Sequence, residues 1–214
     1  MTILLSDPRV AEVPVHDCGE PLVALDASFS PARASVRAGV AARLALAQDL
    51  LPRGLRLRVV EGHRSVTDQR AIIARYSAEV CLLRPGISPH QLHHLVSRFV
   101  APVEVAPHVA GAAVDVTLVD VTGDELDLGT PIDATPEQSD GACYFAAGNI
   151  SPDARAHRRL LAAVLMPLGL VNYPTEWWHW SYGDRYWALV GREPHAVYGP
   201  VEGSGAGAGQ VDAA

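Results

Sequence analysis

The chain has no lysine. All 17 of its basic side chains are arginines, set against 24 carboxylates, for a net charge of −7 at pH 7. An acidic chain with no basic run excludes a nucleic-acid-binding surface and an anionic-membrane surface. Exclusive use of arginine in an alanine-rich chain reads as coding bias, so only individual arginines carry chemical meaning. Cysteine is scarce as well. Cys18, Cys81 and Cys143 are widely spaced, odd in number and form no CxxC pair, which excludes a disulfide framework. Reduced thiols and a cytoplasmic location are the expectation. The N-terminus lacks a charged segment leading into an apolar one, so no secretory signal is expected. No uncharged apolar run reaches the roughly 18 residues of a membrane span.

What is present suffices for one folded unit. Hydrophobic residues make up 49% of the 214 residues. The expectation is a single domain over residues 1–200, followed by a disordered Gly/Ala-rich tail over 201–214. No internal repeat is visible, and no pattern specifies an oligomeric state.

Local signals divide the chain into helices and short strands. Prolines at 8, 14 and 21 predict an extended N-terminal segment, with Leu22 to Leu25 as an edge strand. Ser30-Pro31 predicts the start of a helix running to Leu51. Residues 55–60 alternate and predict a strand with one buried face. Ser65 with Asp68 predicts a capped helix over 66–83, and Ser88-Pro89 another reaching Phe99. His108 to Asp120 reads as a turn entering a strand. Residues 129–149 carry Gly, Pro, Asp and Ser throughout and predict a long functional loop. Ser151-Pro152 opens a helix to Leu168. A Trp-rich strand from Thr175 to Ser181 is predicted to pair back with Arg185–Val190 as a hairpin. The resulting class is α+β, with helices packed on a mostly antiparallel sheet.

Two stretches carry chemistry. His108 and Asp115 are joined by small residues that let the backbone approach another element closely. Far downstream, His179 stands among tryptophans that themselves read as packing. A catalytic zinc takes three protein ligands and leaves a position open, and a His-Asp-His set is of suitable type. Two other readings stand beside it. Asp115 could pair with an arginine, and His179 could be a satisfied core histidine. A carboxylate inside Ala-Val-Asp-Val nevertheless requires a cation, because burying it unpaired is costly. Glu176, three residues before His179, is placed to act as a general base. In a regular strand these two would face opposite ways, so the chain must bulge, end or turn at Trp177-Trp178. Arg64, in a turn between strand and helix, could project a guanidinium toward a developing oxyanion. His90 and His94 have helical i, i+4 spacing, but position 91 is Gln rather than Glu. They form a weaker rival site.

These residues sit in motifs that resemble the D-alanyl-D-alanine dipeptidases associated with vancomycin resistance and cell-wall dipeptide turnover. The matching strings are Glu61-Gly62-His63-Arg64, His108-x-x-Gly111-x-Ala113-x-Asp115, Gly129-Thr130-Pro131-x-Asp133, and the long run Glu176-Trp177-Trp178-His179-Trp180-Ser181-Tyr182-Gly183-Asp184-Arg185-Tyr186-Trp187. The resemblance implies a zinc D,D-peptidase fold and one Zn2+ per chain on His108, Asp115 and His179. It implies Glu176 as general base, Arg64 stabilising the tetrahedral intermediate, and Asp133 near the substrate ammonium. The partner would be a small dipeptide, with a loop closing over the pocket. Two departures stand out. Ala106-Pro107 replaces the serine-containing entry to the first zinc histidine, and residues 134–140 differ from the family's usual loop. Both bear on substrate choice rather than reaction class. The alternatives are a D,D- or L,D-carboxypeptidase acting on longer cell-wall peptides and a non-catalytic zinc-binding module.

Overall fold

The computed structural model describes residues 2–201, so the tail expected over 201–214 lies, apart from Val201, outside the described residues. None of the described helices is long and apolar enough to cross a membrane. The fold is α+β, as expected from the alternation of signals. Its central sheet has four antiparallel strands: β3 (Arg56–Glu61), β4 (Ala113–Val119), β5 (Val171–Asn172) and β6 (His179–Ser181). Their spatial order is β3-β4-β6-β5. A separate two-stranded ribbon pairs β1 (Leu22–Ala24) with β2 (Ser35–Arg37).

Strand β4 organises the molecule because all seven of its residues are buried. Alternation along a strand sends successive side chains to opposite faces. Val114, Val116 and Leu118 enter the main core beside Leu57 and Val59 of β3. Asp115 and Thr117 point the other way. Helices α2 (Ala38–Leu50) and α5 (Pro152–Leu165) pack together on the apolar side. Val40, Leu44 and Ala47 of α2 and Leu161, Val164 and Leu165 of α5 supply the buried stripes. Three fully buried tryptophans, Trp177, Trp178 and Trp180, complete that core.

Helix α3 (Val66–Leu83) begins where the sequence places it. Ser65 is extended and its hydroxyl accepts the Asp68 amide. Helix α4 (Pro89–Val96) opens with a full capping box between Ser88 and Gln91, but ends before Phe99. Ser151 caps α5, whose last turn tightens into a 3-10 segment before Gly169 adopts φ +85°.

Four expectations are corrected. The N-terminal segment is not extended throughout, because α1 (Pro8–Glu12) forms on an Asp7 cap. Proline disfavours helix at the residue before it, where Asp7 is indeed extended, but its own fixed φ suits the first helical position. The helix expected from Ser30-Pro31 starts only at Ala38. Ser35–Arg37 instead pair with Leu22–Ala24, so strand pairing overrides alanine-rich propensity. The Trp-rich strand is shorter than expected, with residues 174–178 forming a turn. Finally, Arg185–Gly191 is helix α6 and not the return strand of a hairpin. Asp184 caps it by accepting the Tyr186 and Trp187 amides. β6 already pairs with β4 on one side and β5 on the other, leaving no edge for a further strand.

Candidate metal centre and catalytic pocket

His108, Asp115 and His179 converge from three parts of the chain onto one point. Asp115 lies on the face of β4 opposite the core. His179, the first residue of β6, is its direct cross-strand partner. His108 arrives on the turn before β4, where Gly111 takes φ +64° and its Cα passes against Leu22 and Arg37. The separations are 3.1 Å for His108 Nε2 to His179 Nδ1, 3.4 Å for His108 Nε2 to Asp115 Oδ1 and 3.3 Å for His179 Nδ1 to Asp115 Oδ1.

Those distances suit a metal ion. Ligands at about 2.0–2.1 Å around a tetrahedral zinc are roughly 3.3 Å apart. His108 Nδ1 donates to the Gly62 carbonyl at 2.7 Å, which leaves the Nε2 lone pair turned inward. Asp115 Oδ1 is buried and has no hydrogen-bond partner. All three residues are buried, at 6, 3 and 4% exposure, so a lone carboxylate there lacks solvent to stabilise it. Burial works against ionisation of Asp115, but His108 and His179 override it and hold the carboxyl below its usual range. A cation bound by these three atoms accounts for the arrangement. Among the described residues these three form the metal-competent group. The rival histidines His90, His93 and His94 are exposed on α4 and do not reach it.

Glu176 meets this cluster because the chain turns. The Glu176 amide donates to Tyr173 and the His179 amide to Glu176, closing two tight turns ahead of β6. Asn172 clamps the same turn by donating to the Glu176 and His179 carbonyls at 2.9 Å. Glu176 Oε2 thus lies 3.8 Å from His179 Nδ1 despite the three-residue spacing. Burial, then the negative charges of Asp115 and Asp133, push its carboxyl well above the usual range.

The cluster opens into a cavity of about 440 Å³. Its walls include Glu61, Arg64, Gln69, Tyr76, Ala106, Pro107, Asp133, Glu176 and Trp178. Arg64 follows β3, and its amide donates to the His108 carbonyl, so the arginine turn is built directly against a candidate ligand. Asp133 stands at the mouth with φ +64°, a conformation that Asp tolerates better than most residues. Partial burial, reinforced by Asp115 and Glu61, pushes its carboxyl from 3.8 up to about 6. The Ala106-Pro107 departure and Trp178 both line this cavity, so Trp178 serves as pocket wall as well as core packing, whereas Trp177 and Trp180 are core alone.

The long loop is anchored by a residue without a sequence signal of its own. Arg158 of α5 is 1% exposed and has no carboxylate partner. It donates to the carbonyls of Leu128, Ala142 and Tyr144 at 2.6–2.8 Å. Burial lowers its pKa to about 10. The Trp177 indole donates to Thr130 at 2.9 Å, tying the same loop to the turn that carries Glu176. Gln69 was also missed, although a signal existed. It shares the inward stripe of α3 with Tyr76 and Val80, and a polar residue on a buried stripe calls for a partner.

Comparison with known proteins agrees with the geometry. The D-ala-D-ala dipeptidase family, peptidase M15, matches residues 77–195. The chain belongs to this family. The D-alanyl-D-alanine dipeptidase of Synechocystis is 29% identical, the match covering 89% of this chain and 95% of that protein. The Escherichia coli D-alanyl-D-alanine dipeptidase is 35% identical over 35% of this chain and 36% of its own length. In fold, the chain is similar to a mutant of the vancomycin resistance D,D-pentapeptidase VanY solved with Zn(II), at TM-score 0.51, 16% identity and coverage of 89% and 97%. VanYB solved with D-alanine-D-alanine gives TM-score 0.52, 17% identity and coverage of 89% and 96%. The dipeptidase family assignment thus rests on sequence, and the D,D-peptidase architecture is shared in space.

Proposed function

We propose that the protein is a zinc-dependent dipeptidase that hydrolyses D-Ala-D-Ala, or a close D,D-dipeptide, to free amino acids. The observation that carries this reading is the convergence of His108, Asp115 and His179 beside Glu176 in a cavity that also receives Arg64 and Asp133. His108 Nε2, Asp115 Oδ1 and His179 Nδ1 would hold the ion, and zinc when bound supplies Lewis acidity to the attacking water and the scissile carbonyl. Glu176 takes the proton of the water as it attacks and delivers it to the departing amine. Arg64 donates N–H groups to the carbonyl oxygen as that atom gains negative charge. Asp133, at the mouth, pairs with the free ammonium group of the substrate and so favours a dipeptide over an internal peptide bond. A protein that only stored or sensed a metal would have no use for a buried carboxylate beside the open side of the site.

The test is hydrolysis by zinc-loaded protein of three substrates: D-Ala-D-Ala, L-Ala-L-Ala and a muramyl pentapeptide. Release of D-Ala from the first alone supports the dipeptidase reading. Release from the pentapeptide instead assigns a carboxypeptidase, and no release from any assigns a binding module.

A further inference from the structure

We propose that Glu61 and Gln69 are positioning residues that aim Arg64 at the reacting carbonyl. The inference rests on the oxyanion role of Arg64 given above. The guanidinium is held on two sides. Glu61 Oε1 accepts the Nε–H at 2.7 Å, and Glu61 Oε2 accepts from Nη2 in a bidentate fork. Gln69 Oε1 accepts from Nη1 at 2.9 Å. Gln69 is in turn fixed, because it is 2% exposed and its Nε2 donates to the Ala101 carbonyl at 2.8 Å. A guanidinium has five N–H donors. Three are committed to Glu61 and Gln69, which leaves one on each Nη free to meet an oxyanion.

The backbone is shaped for this task. Val59 pairs with Val116, but Glu61 pairs with Asp115, so β3 carries an extra residue between them. Without the bulge, Glu61 would share the core face with Val59. The bulge turns it to the pocket face beside Asp115, while Val60 is pushed out to 43% exposure. Gly62 follows because a Cβ there would lie 2.5 Å from the Ser35 carbonyl oxygen. The fork also keeps Arg64 where it is needed. Asp115 and Asp133 both attract the guanidinium, and without Glu61 it would be drawn onto them.

The experiment is a double-mutant cycle with D-Ala-D-Ala, reading kcat, KM, bound zinc and melting temperature for Glu61→Gln, Gln69→Leu, Arg64→Lys and Glu61→Gln with Arg64→Lys. The expected result for Glu61→Gln is a fall in kcat of about tenfold or more, with KM changed by less than about threefold and zinc content unchanged, as misaimed catalytic groups give. Gln69→Leu follows in the same direction. In the Arg64→Lys background the Glu61→Gln change adds little, because the group it orients is already gone. Multiplicative losses in the double variant, or a rise in KM alone, overturn the proposal. A fully active Arg64→Lys enzyme overturns the oxyanion reading itself, and the positioning proposal with it.

Discussion

At the level of single residues, the charges in the pocket divide by task. Glu176 is buried beside His179 and has no salt-bridging arginine, an environment compatible with the base role proposed for it. Replacing Glu176 by Ala is expected to lower kcat by a factor of about 10² or more while leaving zinc stoichiometry intact. Retained turnover in that variant would remove Glu176 from the mechanism. Asp133 makes a pH-dependent prediction. Partial burial and the nearby carboxylates raise its carboxyl from 3.8 to about 6. Only the ionised form pairs with an ammonium group. Substrate capture therefore strengthens as pH rises through that value and weakens as pH falls below it. The effect belongs in kcat/KM, which reports the free enzyme, and Asp133→Asn is expected to raise KM and to abolish this acid limb. An acid limb unchanged in Asp133→Asn would assign it to another group.

At the level of elements, the site depends on short pieces of backbone held by specific anchors. Arg158 links α5 to three carbonyls of the loop that carries Asp133. Arg158→Met would leave those carbonyls unsatisfied, at about 1–3 kcal/mol for each that water cannot reach. Calorimetry should show a clear loss of melting temperature, with KM raised more than kcat is lowered. Ser151 begins the same helix, accepting the Ala154 amide and donating to Asp127. Ser151→Ala is expected to destabilise by about 1 kcal/mol with little effect on turnover. Comparing the two variants by denaturant unfolding and by KM separates loss of the loop anchor from loss of helix stability.

At the level of the whole molecule, two donors from the turn and strand around β4 and a third from β6, much later in the chain, meet within one buried cluster. An ion held by them would tie the turn before β4, β4 itself and β6 together, and its binding energy would become folding energy. Removing metal with a chelator is expected to lower the melting temperature. Free zinc at about 100 times its dissociation constant should restore roughly 2.7 kcal/mol. Equal melting temperatures with and without zinc would show that these three side chains do not bind it.

Local chemistry was legible in the chain wherever it is carried by adjacent residues. Caps at Ser65, Ser88 and Ser151, the strand entered after His108, and the α+β class all follow from hydrogen-bonding side chains and periodicity. The candidate metal ligands and Glu176 were legible as types, because a buried carboxylate and histidines at odds with their apolar surroundings require a partner. Only the tertiary structure decided that the requirement is mutual. The Asp115–His179 register, the turn that brings Glu176 round and the bulge that turns Glu61 into the pocket are products of strand pairing across distant segments. The same pairing made residues 35–37 a strand against their helical propensity, and left 185–191 a helix because β6 had no free edge. Caps and periodicity act over a few residues, and a sequence displays them directly. Register, bulges and the convergence of ligands depend on which distant segments exclude water together, and that is settled only when the chain is packed.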